Sequence, residues 1–298
     1  MNLIQDKFSL FSLHRNMVAF ENFIIRSNQG FDLIADLYLC RGIDKKPIVI
    51  FCHGFKGFKD WGHFPLLADH FIEKEFNFLK FNFSHNGGTL QNPIDFPDLE
   101  SFAKNNYSLE LNDVQTVLNW ITSSENPHSN RINTEEIYLI GHSRGGGISI
   151  ITASVDKRIK KLVTWSALSD FSRRFPAASL MEKWKKNGVY FIENTRTRQK
   201  MPLYYQFYED FIQNKAKLNI AEAEKKLNIP HLIIHGTEDE TVYLGEALYL
   251  ISLNEYSSLI KIKNATHTFG GYHPYKEKKI PAHAEMAVNY TISFFQNE

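Results

Sequence analysis

The sequence is poor in cysteine, has no excess of either charge and contains no long apolar run. Its two cysteines, Cys40 and Cys52, cannot form a disulfide framework, and the residues around them lack the spacing of metal ligands. Lysine and arginine number 34, aspartate and glutamate 33, and the net charge is +1. This balance lacks the basic excess of a nucleic-acid binder or of a protein that binds anionic membranes. No stretch of about 18 apolar residues is present to span a bilayer.

The N-terminal 23 residues do not have the pattern of a secretory leader. A leader has a basic segment, an unbroken apolar segment and a cleavage site with small residues. Here the stretch is interrupted by Asp6, Lys7, His14, Arg15 and Asn16. We therefore expect a cytoplasmic protein. The sequence also predicts no cofactor and no metal, and it carries no signal for an oligomeric state.

What the chain does contain is typical of a globular protein, with 43% hydrophobic and 22% charged residues. Its 298 residues allow two ordinary domains or one large domain, and a chain of this length needs no disulfide or metal to be stable. Short apolar runs with strand character recur along it: Phe23–Ile25, Leu33–Leu39, Ile48–Phe51, Phe78–Phe83, Ile137–Ile140, Leu162–Trp165, His231–Ile234 and Leu259–Ile262.

The first two strands read as a hairpin, because a turn composition, Ser27–Gly30, separates residues 22–27 from 31–39. From residue 47 onward strands alternate with helical spacing, as in Phe64, Leu67, Ala68 and Phe71. The pattern predicts an α/β fold with a mostly parallel eight-stranded sheet, an N-terminal antiparallel hairpin and helices on both faces.

Two segments interrupt this alternation. Residues 82–106 are polar and contain Gly87-Gly88, Pro93 and Pro97, and loops of this length are usually functional or mobile. Residues 168–229, inserted after the sixth strand, contain helical patches at Leu180–Lys186, Leu203–Ile212 and Ile220–Leu227. We interpret this insertion as a helical lid on a single domain that spans residues 1–298.

A candidate nucleophile lies in the run Ile137–Ile151, where a strand is followed by Gly141-His142-Ser143-Arg144-Gly145 and then by a helix. This is G-x-S-x-G in its strand-turn-helix context. Turning from strand to helix within one residue strains the backbone of Ser143, and only small neighbours tolerate the crowding. The hydroxyl is then held above the sheet at a helix N-terminus, where a developing negative charge is favoured.

A serine nucleophile needs a base, and the base needs an orienting acid. Asp239 lies in a turn three residues past Gly236, after one strand, and His267 follows the next strand. The order Ser143, Asp239, His267 suits three residues at the C-terminal ends of parallel strands. Alternatives also fall nearby, namely Glu238 and Glu240 for the acid and His273 and His283 for the base.

These motifs resemble the α/β-hydrolase family over residues 22–296, with Gly141–Gly145 as nucleophile elbow, His235–Asp239 as acid turn and His267 as histidine loop. Within the family the chain looks most similar to feruloyl and cinnamoyl esterases and to hydrolases like dienelactone hydrolase or acyl-peptidase. Cys52–Gly57 is similar to their H-G-F-x-G oxyanion loop. The resemblance implies that the backbone N–H groups of Phe55 and Arg144 form an oxyanion hole. Dienelactone hydrolases, however, have a cysteine where this chain has Ser143.

The function predicted first is hydrolysis of carboxylic esters of small-molecule acyl or aromatic acyl substrates. An exopeptidase or amidase acting on short peptides, and a non-catalytic binding protein on a hydrolase scaffold, remain as alternatives. Aromatic residues are concentrated in residues 168–212, where they pack the insertion or line an acyl pocket. A basic surface between Arg173 and Lys200 leaves open a preference for anionic substrates. The candidate substrate contacts are His53, His142, Phe171, Trp184, Tyr204, Tyr205 and Tyr208.

Overall fold

A computed structural model describes residues 17–297, so the N-terminal interruptions noted above, from Asp6 to Asn16, lie outside the described residues. Within that range the chain forms ten strands: β1 (Met17–Arg26), β2 (Asp32–Cys40), β3 (Lys46–Cys52), β4 (Asn77–Phe81), β5 (Ile132–His142), β6 (Ile159–Trp165), β7 (Val189–Asn194), β8 (Gln199–Tyr204), β9 (His231–Gly236) and β10 (Ser257–Ile262).

The same range contains nine α-helices, most of which connect the strands. They are α1 (Leu67–Ile72), α2 (Leu99–Lys104), α3 (Tyr107–Thr122), α4 (Arg144–Val155), α5 (Ala178–Asn187), α6 (Gln206–Gln213), α7 (Ile220–Lys226), α8 (Leu244–Ile251) and α9 (Ala282–Gln296). Helix α2 ends the segment 82–106 that the sequence predicts as a loop. Asp98 precedes its first residue, and the Asp98 carboxylate caps the helix by accepting a hydrogen bond from the Ser101 N–H at 2.9 Å.

Eight strands form one sheet in the order β1-β2-β4-β3-β5-β6-β9-β10. The β1–β2 and β2–β4 pairs are antiparallel, and all the others are parallel. The predicted mostly parallel sheet with an N-terminal antiparallel hairpin is therefore confirmed. Strands β5, β9 and β10, which precede the three candidate catalytic residues, are parallel and end at the same edge of the sheet.

Helices cover both faces of the sheet. Successive side chains of a strand point to opposite faces, so both sets are buried. On β3, Ile48 and Ile50 pack in a cluster with residues of α3, α4, α7 and α8, whereas Val49 and Phe51 pack in a second cluster with residues of α1 and α9. The near-continuous apolar sequence of the central strands follows from this double burial.

A buried network of four charges attaches the loop after β3 to the sheet. The Asp36 carboxylate on β2 accepts hydrogen bonds from the ammonium groups of Lys59 and Lys80, both at 2.7 Å. Asp60 pairs with the same two lysines. The network holds residues 59–60, which follow the predicted oxyanion loop, against β2 and β4.

The insertion between β6 and β9 is not only helical. Residues 189–204 form an antiparallel hairpin of β7 and β8, in which Val189 pairs with Tyr204 and Asn194 with Gln199. The predicted helical patch Leu203–Ile212 is therefore wrong at its start, since Leu203 and Tyr204 belong to β8 and α6 begins only at Gln206. A two-stranded sheet has only edge strands, so it accommodates Pro202, which lacks an N–H group.

Candidate active site

Ser143 lies at the sharp turn between β5 and α4. Its backbone has φ 56° and ψ −120°, a left-handed conformation that L-residues rarely adopt. The turn packs so closely that a Cβ at Gly141 would lie 2.5 Å from the Gly145 carbonyl oxygen, and a Cβ at Gly145 would lie 2.4 Å from the His53 carbonyl oxygen. No side chain larger than hydrogen fits at either position. The Ser143 N–H donates to the Trp165 carbonyl at 2.9 Å, which ties the turn to the neighbouring strand.

Asp239 and His267 form a hydrogen-bonded pair at the ends of β9 and β10. The His267 Nδ1–H donates to Asp239 Oδ2 at 2.8 Å, while Asp239 Oδ1 accepts the N–H groups of Thr241 and Val242 at 2.9 and 2.8 Å. Burial by itself would raise the pKa of Asp239, but His267 and the Val242 N–H outweigh it and lower this pKa. The carboxylate therefore stays ionised and fixes the imidazole tautomer, leaving Nε2 free to take a proton.

The competing acids and bases lie in different surroundings. Glu238 and Glu240 are exposed to solvent on either side of buried Asp239. His273 accepts a hydrogen bond from the Gly62 N–H at 3.0 Å, and His283 lies on α9. His267 and His273 both line the cavity that Ser143 lines, but His267 and Asp239 are the candidate base and acid in direct contact.

The predicted oxyanion loop lies directly over the nucleophile. A Cβ at Gly54 would lie 2.9 Å from the Ser143 Cβ, so Phe55 is one residue from this contact. Arg144 is the first residue of α4, and the first N–H groups of a helix have no partner within the helix. The positive end of the helix dipole adds to the attraction for an anion there. Phe55 and Arg144, whose amides are the predicted oxyanion donors, both line the cavity with Ser143.

His53 orients this loop from behind. Its Nε2 accepts a hydrogen bond from the Phe83 N–H at 3.3 Å, so Nδ1 carries the proton and donates to the Gly54 carbonyl at 2.8 Å. Burial lowers the pKa of His53 to about 4, which keeps the ring neutral at pH 7. His53 is not among the residues that line the cavity, in contrast to the prediction that it contacts substrate.

His142 precedes the nucleophile and does line the cavity. Burial, together with the neighbouring His267, lowers the pKa of His142 to about 3. The neutral ring donates from Nε2 to the His267 carbonyl at 3.0 Å. His142 therefore connects the nucleophile turn to the loop that carries the candidate base.

A cavity of about 690 Å³ opens above Ser143 and His267. Its walls come from the loop after β3, from the segment 82–106, from α3, from the insertion 168–229 and from the loops after β9 and β10. The walls are largely aromatic, with rings from Phe55, Trp61, Phe64, Phe96, Tyr107, Phe175, Trp184, Tyr190, Phe207 and Tyr272. A cavity of this size and lining suits a small organic molecule.

The structure separates the five predicted aromatic contacts. Trp184 lines the cavity, whereas Phe171, Tyr204, Tyr205 and Tyr208 do not. Phe171 is fully buried and stacks on Tyr107, with 3.9 Å between ring centroids. The hydroxyl of Tyr204 donates to Glu100 at 2.6 Å, so this side chain points to α2. Tyr205 and Tyr208 pack on each other, and they also contact Trp184 and Phe175 respectively.

Most lining residues were not predicted from the sequence, among them Tyr107, Lys56 and Trp61. Tyr107 is the first residue of α3, and its spacing of four from Leu111 is that of a core position, which gives no sign of a cavity. Lys56 and Trp61 lie in the loop after β3, where no periodicity predicts the direction of a side chain.

Within residues 17–297 no cluster of three His, Cys, Asp or Glu side chains could hold a metal ion. None of the helices in this range is both long and apolar enough for a membrane span.

Comparisons with known proteins agree with this architecture. A family model described as the alpha/beta hydrolase fold matches residues 98–270, which is more than half of the chain. "Putative esterase/lipase 1" of Mycoplasma pneumoniae is 26% identical over 271 residues, which cover 80% of this chain and 89% of that protein.

Two solved structures show the same fold at low sequence identity. Est1E from Butyrivibrio proteoclasticus, solved with ferulic acid bound, has a TM-score of 0.70 at 18% identity and covers 91% of this chain and 97% of its own. A dienelactone hydrolase from Anabaena variabilis has a TM-score of 0.61 at 14% identity, with 94% and 97% covered. With the G-x-S-x-G turn at the end of β5 and the matched family model, the chain belongs to the alpha/beta hydrolase family.

Proposed function

We propose that the protein is a serine carboxylesterase with Ser143 as nucleophile, His267 as general base and Asp239 as orienting acid. The observation that carries the proposal is the 2.8 Å hydrogen bond between His267 and Asp239 at the edge of the cavity into which Ser143 is raised. A strained serine, a base held in one tautomer and two amides near the nucleophile are the parts that acyl transfer requires.

The proposed reaction proceeds in two steps. His267 Nε2 takes the proton of the Ser143 hydroxyl as its oxygen attacks the acyl carbon, and the N–H groups of Phe55 and Arg144 stabilise the oxyanion. The alcohol leaves with the proton from His267. Water, deprotonated by the same histidine, then hydrolyses the acyl-enzyme and releases the acid.

The aromatic walls favour a small acyl or aromatic acyl group as substrate. Ferulic acid bound to the similarly folded Est1E supports an aromatic acyl group, and the esterase/lipase name of the relative from Mycoplasma pneumoniae supports an ester substrate. Of the residues that line the cavity in the described part of the chain, none is an acid that could bind the ammonium group of a peptide. This favours ester hydrolysis over an exopeptidase that binds the amino terminus of a peptide. In this proposal the insertion 168–229 acts as a lid over the site.

Substitution of the nucleophile tests the proposal. We expect Ser143→Ala to abolish labelling by a fluorophosphonate probe and to lower turnover of 4-nitrophenyl butyrate by on the order of 10⁴-fold or more. Ser154→Ala, toward the other end of α4, is the matched control and should label and turn over as the wild type does. Equal turnover by Ser143→Ala and wild type would refute the assignment. A parallel assay with an aminoacyl 4-nitroanilide separates esterase from peptidase activity.

A further inference from the structure

The charged side chains that line the cavity are all of one sign. Four cationic residues contribute to its walls, and the lining contains neither aspartate nor glutamate. The cations are Lys56, Arg144, Arg174 and Arg196. This bias is local, because the chain as a whole has a net charge of only +1.

Three of the four cations form ion pairs with carboxylates that do not themselves line the cavity. The pairs are Arg144 with Glu110 at 3.2 Å, Arg174 with Glu246, and Arg196 with Asp95. Arg144 also lies over the ring of Phe55, with 3.7 Å from its guanidinium carbon to the ring centroid. These arginines therefore have structural partners that account for their charge.

Lys56 is the exception. Its ammonium donates to the backbone carbonyl of Glu193 on β7 at 3.4 Å, and within residues 17–297 no carboxylate lies within ion-pair distance of it. Burial and the nearby Arg144 lower the pKa of Lys56, so its surroundings disfavour a cation. Its backbone also has φ 55°, a left-handed conformation in which a lysine costs more than glycine would. Strained and electrostatically disfavoured residues cluster at binding sites.

We propose that Lys56 binds an anionic group of the substrate, so that the preferred substrates are esters carrying a carboxylate or similar anion away from the scissile bond. Lys56 follows Phe55, whose N–H is the proposed oxyanion donor, and its ammonium reaches the hairpin on the far wall of the cavity. An ester whose carbonyl is at Ser143 would extend its apolar part along the aromatic rings and place the anion at Lys56. The inference rests on the proposed function, whose substrate class it specifies.

Two matched pairs of esters locate the anion on the acyl or the alcohol part. The acyl pair is mono-4-nitrophenyl adipate and its neutral methyl ester. The alcohol pair is 4-carboxyphenyl hexanoate and its methyl ester. For each pair the readout is the ratio of kcat/KM for the anionic over the neutral ester, because this ratio cancels any general loss of activity.

We expect Lys56→Met to lower the ratio on the order of tenfold for at least one pair, since a hydrogen bond to a charged group is lost. Lys56→Arg keeps the charge and should retain most of the ratio. Lys183→Met removes an exposed charge from the insertion and serves as the control. An unchanged ratio in Lys56→Met for both pairs, or an equal fall in Lys183→Met, would overturn the inference.

A binding measurement separates failure of this inference from failure of the proposed function. Adipate is the acid released from mono-4-nitrophenyl adipate; it carries the distal carboxylate and has no ester bond to be hydrolysed during the measurement. Calorimetry should show its affinity falling on the order of tenfold in Lys56→Met. If the wild type hydrolyses neither ester pair but binds this anion through Lys56, the function fails and the anion site stands. If neutral esters are turned over through Ser143 and Lys56→Met binds the anion as well as wild type does, the anion site fails and the function stands.

Discussion

The buried charge network of Asp36, Lys59, Asp60 and Lys80 makes a quantitative prediction for Asp36→Asn. Asp36 is 2% exposed, and its Oδ2 accepts hydrogen bonds from Lys59 and Lys80, both at 2.7 Å. In the asparagine variant either an amide NH₂ faces the two ammonium groups or a neutral oxygen replaces the carboxylate. Asp60 is then the one carboxylate left to neutralise two buried lysines.

The expected loss follows from the removal of a partner in a buried ion pair. Leaving a buried charge uncompensated costs about 3 to 5 kcal/mol in the free energy of unfolding. The same substitution at Asp32, four residues earlier on β2, is the matched control. Asp32 pairs with Arg26 at 2.9 Å, but the side chains are 44% and 71% exposed, so water screens their attraction. Asp32→Asn should therefore lose far less than Asp36→Asn.

Urea unfolding measures both variants, with tryptophan fluorescence and far-ultraviolet circular dichroism as two probes whose transitions must coincide. A second variant, Asp36→Asn combined with Lys59→Met, removes one charge of each sign and leaves Lys80 facing Asp60. It should be more stable than Asp36→Asn alone, because the charge balance is restored. If Asp36→Asn loses no more than Asp32→Asn, the network does not stabilise the fold in the way described.

Two further substitutions test close packing and buried charge. Gly54→Ala would bring a Cβ within 2.9 Å of the Ser143 Cβ, so we expect kcat for a 4-nitrophenyl ester to fall. Gly245→Ala is the control, because a Cβ there would have nothing within 4 Å, and it should leave kcat unchanged. Equal kcat values for the two variants would contradict the geometry. Burial raises the pKa of Asp113 to about 8, with the Ser84 N–H opposing the rise. The folded state thus holds this proton up to about pH 8, whereas the unfolded state loses it near pH 4. The stability that the protonated form contributes is complete below about pH 4 and is lost progressively as the pH rises through 8. The side chain of Asp113→Asn cannot ionise, so the urea midpoint of this variant should rise relative to that of wild type between about pH 5 and pH 8. A difference between the two midpoints that does not change with pH would show that Asp113 is ionised in the folded state.

The sequence predicts the sheet and the candidate catalytic residues because both depend on local patterns. Strands with buried faces have recognisable apolar runs, and parallel strands bring their C-terminal ends to one edge. Ser143, Asp239 and His267 each follow such a run directly. Their convergence therefore needs only the sheet topology, and the structure reports the Asp239–His267 contact that this topology predicts.

The walls of the cavity could not be predicted in the same way, because they depend on side-chain direction within a misassigned segment. A helix over 203–212 would group Tyr204 with Tyr208, since residues four apart share a helix face. In the strand that forms instead, successive side chains alternate, so Leu203 lines the cavity and Tyr204 points to α2. Ion pairs such as Arg144–Glu110 join residues 34 positions apart and leave no local pattern.

The carboxylates that pair with the cavity's arginines lie outside its lining, so the net charge of the cavity and its shape depend on different residues. Asp95, Glu110 and Glu246 do not line the cavity, yet each neutralises an arginine that does. Replacing Asp95 with a neutral residue would leave the positive charge of Arg196 uncompensated without changing any residue of the wall. The electrostatic preference of the site is thus adjustable from the loop 82–106 and from α3 and α8, while the aromatic walls that determine which molecules fit remain as they are.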